Sequence, residues 1–341
     1  MPSDSPRRLA LVVAAVLLLI ATVVYVSVTN GTFDMSVADV LKTLLRIDPR
    51  HEHDLVVFDF RLPRIVIALL VGFGLGIAGA VVQGITRNGL ADPGLLGINA
   101  GAGTAIVLFM LVLKDRLDFT EGWLSFMMMP LLGMAGGLTA AALIFLFAQS
   151  RGRLDPQQLI LVGIAVSSGF GAITLYLSLK MNPNDFEAAA VWLAGSLHGS
   201  NWRYIAAMLP WLLLLTPYVW FKSHVLDVMQ LRDESTLGLG VELARQRKRL
   251  VLAAVGLVAA CVSVSGSIGF VGLIAPHIAR RLVGMHYRRM LPVAGLVGMA
   301  MVAAGDFIGR TLFAPAQLAA GVVISIIGVP YFVYLLFKTK M

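Results

Sequence analysis

Apolar residues in this chain come in blocks about twenty long, not in the alternation of a strand or the half-apolar stripe of a soluble helix. "LALVVAAVLLLIATVVYVSV" at 9–28 and "LVLAAVGLVAACVSVSGSIGFVGLIA" at 250–275 are typical. A helix needs about 20 such residues to cross the hydrocarbon of a bilayer. Ten segments are predicted, at about 9–28, 62–86, 96–113, 124–148, 158–179, 204–221, 250–270, 272–284, 291–309 and 317–337. The eighth is too short to span alone and reads as a broken or partial helix. A further short helix is predicted near 185–198, in "NDFEAAAVWLAGSLHG" between segments five and six. One stretch breaks the oily pattern: "LRDESTLGLGVELARQRKR", 231–249, a polar insert with a basic end.

Composition places the class. Of 341 residues 58% are hydrophobic and 13% charged, against about 25% charged in soluble domains. Mean hydropathy is +0.85. The chain therefore reads as an all-α polytopic membrane protein forming one domain over 1–341. Its first apolar run is about 20 residues, longer than the 7–15 of a signal peptide, so it reads as a membrane helix. With the N-terminus inside, 17 of the 27 Lys and Arg fall in inner loops, and both termini lie on the cytoplasmic side. The net charge of +8 then reflects membrane anchoring, and no basic stretch carries the interleaved aromatics of a nucleic-acid surface. Cys261 is the single cysteine and excludes an intramolecular disulfide.

Several motifs are weighed by context. "GLGIAG", Gly74 to Gly79, matches a dinucleotide fingerprint but sits inside an apolar segment; Gly72, Gly76 and Ala80, spaced by four, suit close helix packing. No Gly-Lys pair exists, so there is no P-loop, and no nucleophile–base set or carboxylate pair suggests catalysis. The loop Asn30–Phe60 is acidic; its "HEH" at 51–53 reads as solvated, since nothing nearby completes a metal ligand set. "RNGLADPGLLG" (87–97) and "RGRLDPQQLILVG" (151–163) are Pro- and Gly-bearing turns on one side, suited to a constriction. Arg61 and Arg64 mark one end of segment two; Asp306 and Arg310, four apart, mark the corresponding end of segment nine. Segments two and seven share a basic start, a Gly-rich core, a proline and a closing Gly, which suggests inverted halves at about 1–180 and 200–341.

"RLPRIVIALLVGFGLGIAGAVVQGITRNGLADPGLLGINAGAG", "GSIGFVGLIAPHIARRLVGMHYRRMLP" and "LAAGVVISIIGVPYFVYLLFK" together resemble the iron-siderophore and vitamin B12 permease family of ABC importers. The likeness covers about 10–338, in one order throughout. It implies a type II importer permease fold with ten transmembrane helices. It also implies a second permease subunit, two ATPase subunits that carry the ATP and Mg, and an extracytoplasmic substrate-binding protein. No cofactor or metal is expected in this chain.

By position, the resemblance assigns roles. Arg61 and Arg310 match arginines that dock the binding protein. Asn88 and Leu90 match one cytoplasmic gate position, and Pro156 and Gln157 the other, where small hydroxyl residues stand in a family member. The segment 226–249 matches the coupling helices that enter a groove of the ATPase. Asp233, Glu234 and Ser235 would cap a first short helix, Gly238 and Gly240 break it, and Glu242 to Arg245 open a second, with Leu237, Leu239 and Leu243 as the apolar contact. The helix near 185–198 matches a movable element flanking the outer gate. The expected function is the permease of an ATP-driven ferric-siderophore importer in the cytoplasmic membrane. Haem and cobalamin are the rival substrates. An ion-driven transporter would want ionisable residues at segment centres, which here hold essentially none.

Overall fold

The computed structural model describes residues 6–30, 35–47, 50–113, 123–150, 153–154, 156–231, 236 and 242–339. Their regular structure is helical, save a two-residue antiparallel pair of Gln149–Ser150 with Arg153–Leu154. In chain order the helices are α1 Pro6–Thr29, α2 Val37–Leu44, α3 His51–Thr86, α4 Ile98–Leu108, α5 Trp123–Phe147, α6 Pro156–Ser178 and α7 Pro183–Leu193. There follow α8 Trp202–Phe221, α9 Ser223–Val228, α10 Leu243–Ser265, α11 Val271–Val283, α12 Tyr287–Thr311 and α13 Ala320–Thr339. A 3₁₀ turn, Pro93–Leu96, stands between α3 and α4.

Each of the ten predicted segments holds a helix, but they are not ten equal spans. Among the described residues seven helices are long and apolar enough to cross a membrane: α1, α3, α5, α6, α8, α10 and α12. The apolar stretches Ile98–Val112 and Ala320–Leu335 are shorter, and α11 has 13 residues. The predicted short helix is α7, ended by Gly195 at φ 79°.

Two boundaries differ from expectation. α3 begins at His51, eleven residues early, and passes through a π-helical stretch, Leu55–Arg61. "HEH" therefore opens a helix and does not sit in a loop. The cause is a small second core in which Val57 and Ile65 pack with Val28, Met35 and Val40, so the helix is held beyond its membrane segment. Likewise α10 starts at Leu243 and runs unbroken to Ser265, so Glu242 and Arg245 belong to the start of a long helix and not to a separate short one. Leu243 and Leu250 are buried on one side while Arg245, Lys248 and Arg249 stay exposed, which keeps the helix amphipathic there. It ends where Gly266 takes φ 67°.

The core is built on α3, α10, α11 and α12. α3 and α12 are antiparallel and nearly touch backbone to backbone: a Cβ on Gly72 or Gly298 would overlap the other's carbonyl, and one on Gly76 would overlap that of Ala294. Gly79 abuts Gly272 of α11 in the same way. In lipid no water is gained by hiding apolar side chains from each other, so such close van der Waals packing is what holds helices together. The small-residue spacing of "GLGIAG" thus serves α3 as expected from its sequence.

Candidate functional site

At one end of the α3/α12 pair lies a cleft of about 430 Å³, lined by Asp59, Arg61, Arg64, Arg310, Gln317 and the 197–201 turn. Arg61 is placed by the last π-helical turn before Pro63 starts the regular helix. Arg61 Nη1 donates to the carbonyl of Val28 at 2.5 Å, and Arg310 Nη2 to that of Ser27 at 2.6 Å. Both carbonyls belong to the last turn of α1, where no helical N–H remains to receive them and cations are favoured. The two predicted docking arginines are thus brought together, and they pin the end of α1 between them. Neither projects into open solvent: Arg61 is 6% exposed and the Arg310 side chain 10%.

Arg64 is the residue that sequence reasoning set lower. Its Nε lies 2.9 and 3.0 Å from the two Asp306 carboxylate oxygens, and its Nη2 2.8 Å from Oδ1. A planar guanidinium matches a carboxylate in this bidentate way. Its Nη1 also donates to Gln317 Oε1 at 3.0 Å. The i,i+4 pair Asp306–Arg310 is the weaker one, at 4.0 Å. Asp306 is therefore committed across the helix pair and not along its own helix. Arg310 Nε is buried without a hydrogen-bond partner among the described residues. Three cations against Asp306 and Asp59 leave the cleft with a positive excess, suited to a carboxylate-bearing surface.

The other end of the pair carries the predicted gate residues Asn88 and Leu90. α3 ends on Arg87 in the left-handed region, φ 50°. Asn88 N–H then donates to Gln83 O, and the Asn88 side-chain oxygen accepts from Leu90 N–H at 3.0 Å. Leu90 packs against the small cluster of Leu273, Ile274 and Leu335. Asp92 caps the 3₁₀ turn through Gly94 N–H at 2.7 Å. Burial pushes its carboxyl above the ordinary range, against backbone donation from Gly94 and Phe270. Pro156 and Gln157 open α6, and Gln157 is exposed. Within one chain the two predicted gate positions thus sit on separate elements.

Of the coupling residues, Asp233, Glu234, Ser235, Leu237, Gly238, Leu239 and Gly240 lie outside the described residues. Glu242 and Arg245 form an exposed ion pair at 2.9 Å, and Leu243 is buried. Sequence reasoning missed α9 and its contacts. Asp227 Oδ1 accepts from Tyr287 N–H at 2.9 Å, Gln230 Nε2 donates to Gly84 O at 3.1 Å, and Arg87 Nε donates to Met229 O at 2.6 Å. No local spacing announces these partners, which are 60 to 146 residues apart. Among the described residues no cluster of three or more His, Cys, Asp or Glu could hold a metal.

The chain is 52% identical over 322 residues to the iron-uptake system permease protein FeuC of Bacillus subtilis, covering 94% of this chain and 96% of that one. It is 42% identical to the iron(3+)-hydroxamate import system permease protein FhuG of the same organism, covering 97% of each. A solved inward-facing structure assigned to the metal-chelate type of ABC transporter superposes with a TM-score of 0.81 at 30% identity, over 98% of this chain and 100% of that one. The model of the FecCD transport family matches residues 17–338. By that match and these relatives, the chain is a multi-pass membrane permease, not an enzyme, and it belongs to the FecCD transport family.

Proposed function

We propose that this chain is the permease subunit of an ATP-driven importer of ferric siderophores. The observation that carries the reading is 52% identity, along nearly the whole chain, to a permease named for iron uptake. Relatives named for ferric hydroxamate and ferric citrate import support it, at 42% and 38% identity.

In this reading ten segments cross the cytoplasmic membrane with both termini inside. Two permease subunits enclose one path. A binding protein settles over the cleft, its carboxylates meeting Arg61 and Arg310. Arg64, already paired with Asp306, shapes the floor. Iron crosses while chelated, so this chain supplies walls and not ligands. Asn88, Leu90, Pro156 and Gln157 narrow the inner exit. Separate ATPase subunits hold ATP and Mg and grip the coupling segment 226–249 through its residues 233–245; their closure shifts which end of the path is open.

The test is uptake of labelled ferric siderophores, haem and cobalamin in cells lacking and regaining the gene. Loss and recovery of ferric-siderophore uptake alone is expected. Loss of haem or cobalamin uptake instead would overturn the substrate while leaving the permease reading intact.

A further inference from the structure

The α3/α12 pair is clamped at both ends. At one end Arg64 grips Asp306. About 30 Å away, at 1.5 Å per residue, α9 and the turn that follows it are fastened to the same two helices. Asp227 holds the first-turn N–H of α12 at Tyr287. Gln230 Nε2 reaches Gly84 O at 3.1 Å and Tyr287 Oη at 3.4 Å, linking the last turn of α3 to the start of α12. Gly84 leaves the room for this: a Cβ there would overlap the Tyr287 hydroxyl and crowd Leu226. Arg87 then turns back to Met229 O, 2.6 Å from its Nε.

The place of these bonds matters more than their number. Met229 and Gln230 are the last two residues before the polar insert begins at Leu231. Thr236, inside that insert, is buried and donates to Val228 O at 3.2 Å, so the insert is anchored on the same short helix. Arg87 and Gly84 sit directly before Asn88 and Leu90. Asn88 and Leu90 are hydrogen-bonded into one turn.

We infer that Arg87 and Gln230 are positioning residues that fasten the Met229–Gln230 turn to the 87–92 loop, so that displacement of the insert by a partner moves the loop. This rests on the reading of 226–249 as the ATPase-facing segment given above. The charged donor of Arg87 makes the stronger tie; Gln230 fixes its direction by holding α3 to α12 at the point of pull.

The test uses the full complex with its ATPase, in nanodiscs. Leu90→Cys reports the loop through its rate of maleimide labelling; native Cys261 is fully buried and stays silent. In the Leu90→Cys parent, ATP is expected to change the rate by at least about fivefold, the lower range of measured site-to-site coupling. In Arg87→Ala/Gln230→Ala the response falls below about twofold, while the ATPase still co-purifies and turns over. Arg87→Lys keeps most of the response, since an ammonium still reaches the carbonyl. An undiminished ATP response in the double variant overturns the inference. So does loss of the ATPase from the variant complex, which would mean that the two residues only hold the fold. No ATP response in the parent would overturn the coupling reading and this inference with it. Transport of haem in place of a ferric siderophore would overturn only the substrate, and the labelling comparison would stand.

Discussion

α3 and α6 are both long apolar helices, yet they live in different surroundings. In α3 78% of the apolar window is buried, and in α6 17%. Glycine is common to both, so its presence does not separate them. What separates them is where the glycines fall. Gly72, Gly76 and Gly79 of α3 each face backbone of a neighbouring helix, whereas Gly169 and Gly171 of α6 have nothing within 4 Å. α6 also shows large side chains outward, among them Leu161, Ile173 and Leu175. Its hydroxyls bond back to their own helix, Ser167 donating to Gly163 O and Thr174 to Phe170 O, and Thr174 Oγ1 also lies 2.7 Å from Thr104 Oγ1 of α4. Apolar composition brings a helix into the membrane; the pattern of small residues decides whether it faces lipid, or a second subunit, or the middle of the protein.

The contrast breaks most sharply at α3. Gly72→Leu is expected to destabilise the fold by more than about 3 kcal/mol, since backbone of α12 has nowhere to go. Detergent-extracted yield and thermal melting would show it; a wild-type melting curve would refute the close-packing account. The matching change in α6, Gly169→Leu, is expected to leave the monomer folded. Loss of the permease dimer alone would place this face against the second subunit.

Next in size is the buried ion pair. Asp306→Ala leaves Arg64, which is 16% exposed in the cleft, without its carboxylate, at a cost of about 1.5–3 kcal/mol, as for hydrogen bonds to a charged group. Asp306→Leu combined with Arg64→Met should recover much of that stability, and failure to recover would mean the pair does more than fill space. Smaller is the effect on docking. Glu at both 61 and 310 is expected to weaken binding-protein affinity at least about tenfold, some 1.4 kcal/mol, as read by surface plasmon resonance. Those arginines also pin α1, so Lys at both positions serves as the control: it keeps the charge while loosening the α1 contact. Unchanged affinity with Glu would remove the docking role. Smallest of all, Gly169→Ala should stay within about 0.5 kcal/mol of wild type in the same melting assay.

The family, the helical class and the segment positions were legible because each is a local property of the chain. Hydropathy sums over about twenty neighbouring residues, and the quoted Gly- and Pro-bearing stretches are contiguous. The same locality explains the failures. A hydropathy window ends where charges begin, so it closed segment seven at Leu250 and missed that Leu243 continues the buried stripe down a charged helix. It also left 51–61 in a loop, although Val57 and the core it joins extend α3 beyond the membrane segment.

Which residues bond was decided by tertiary structure alone. Asp306 has Arg310 four places along its own helix, and the sequence offers that pair; the fold instead brings up Arg64, 242 residues away, at bidentate distance. Arg87 and Met229 meet across 142 residues, with no periodicity to announce them. A helix segment carries its own address in its composition. A hydrogen bond between distant residues exists only once packing has fixed both backbones, and here that packing depends on glycines that let α3 and α12 touch.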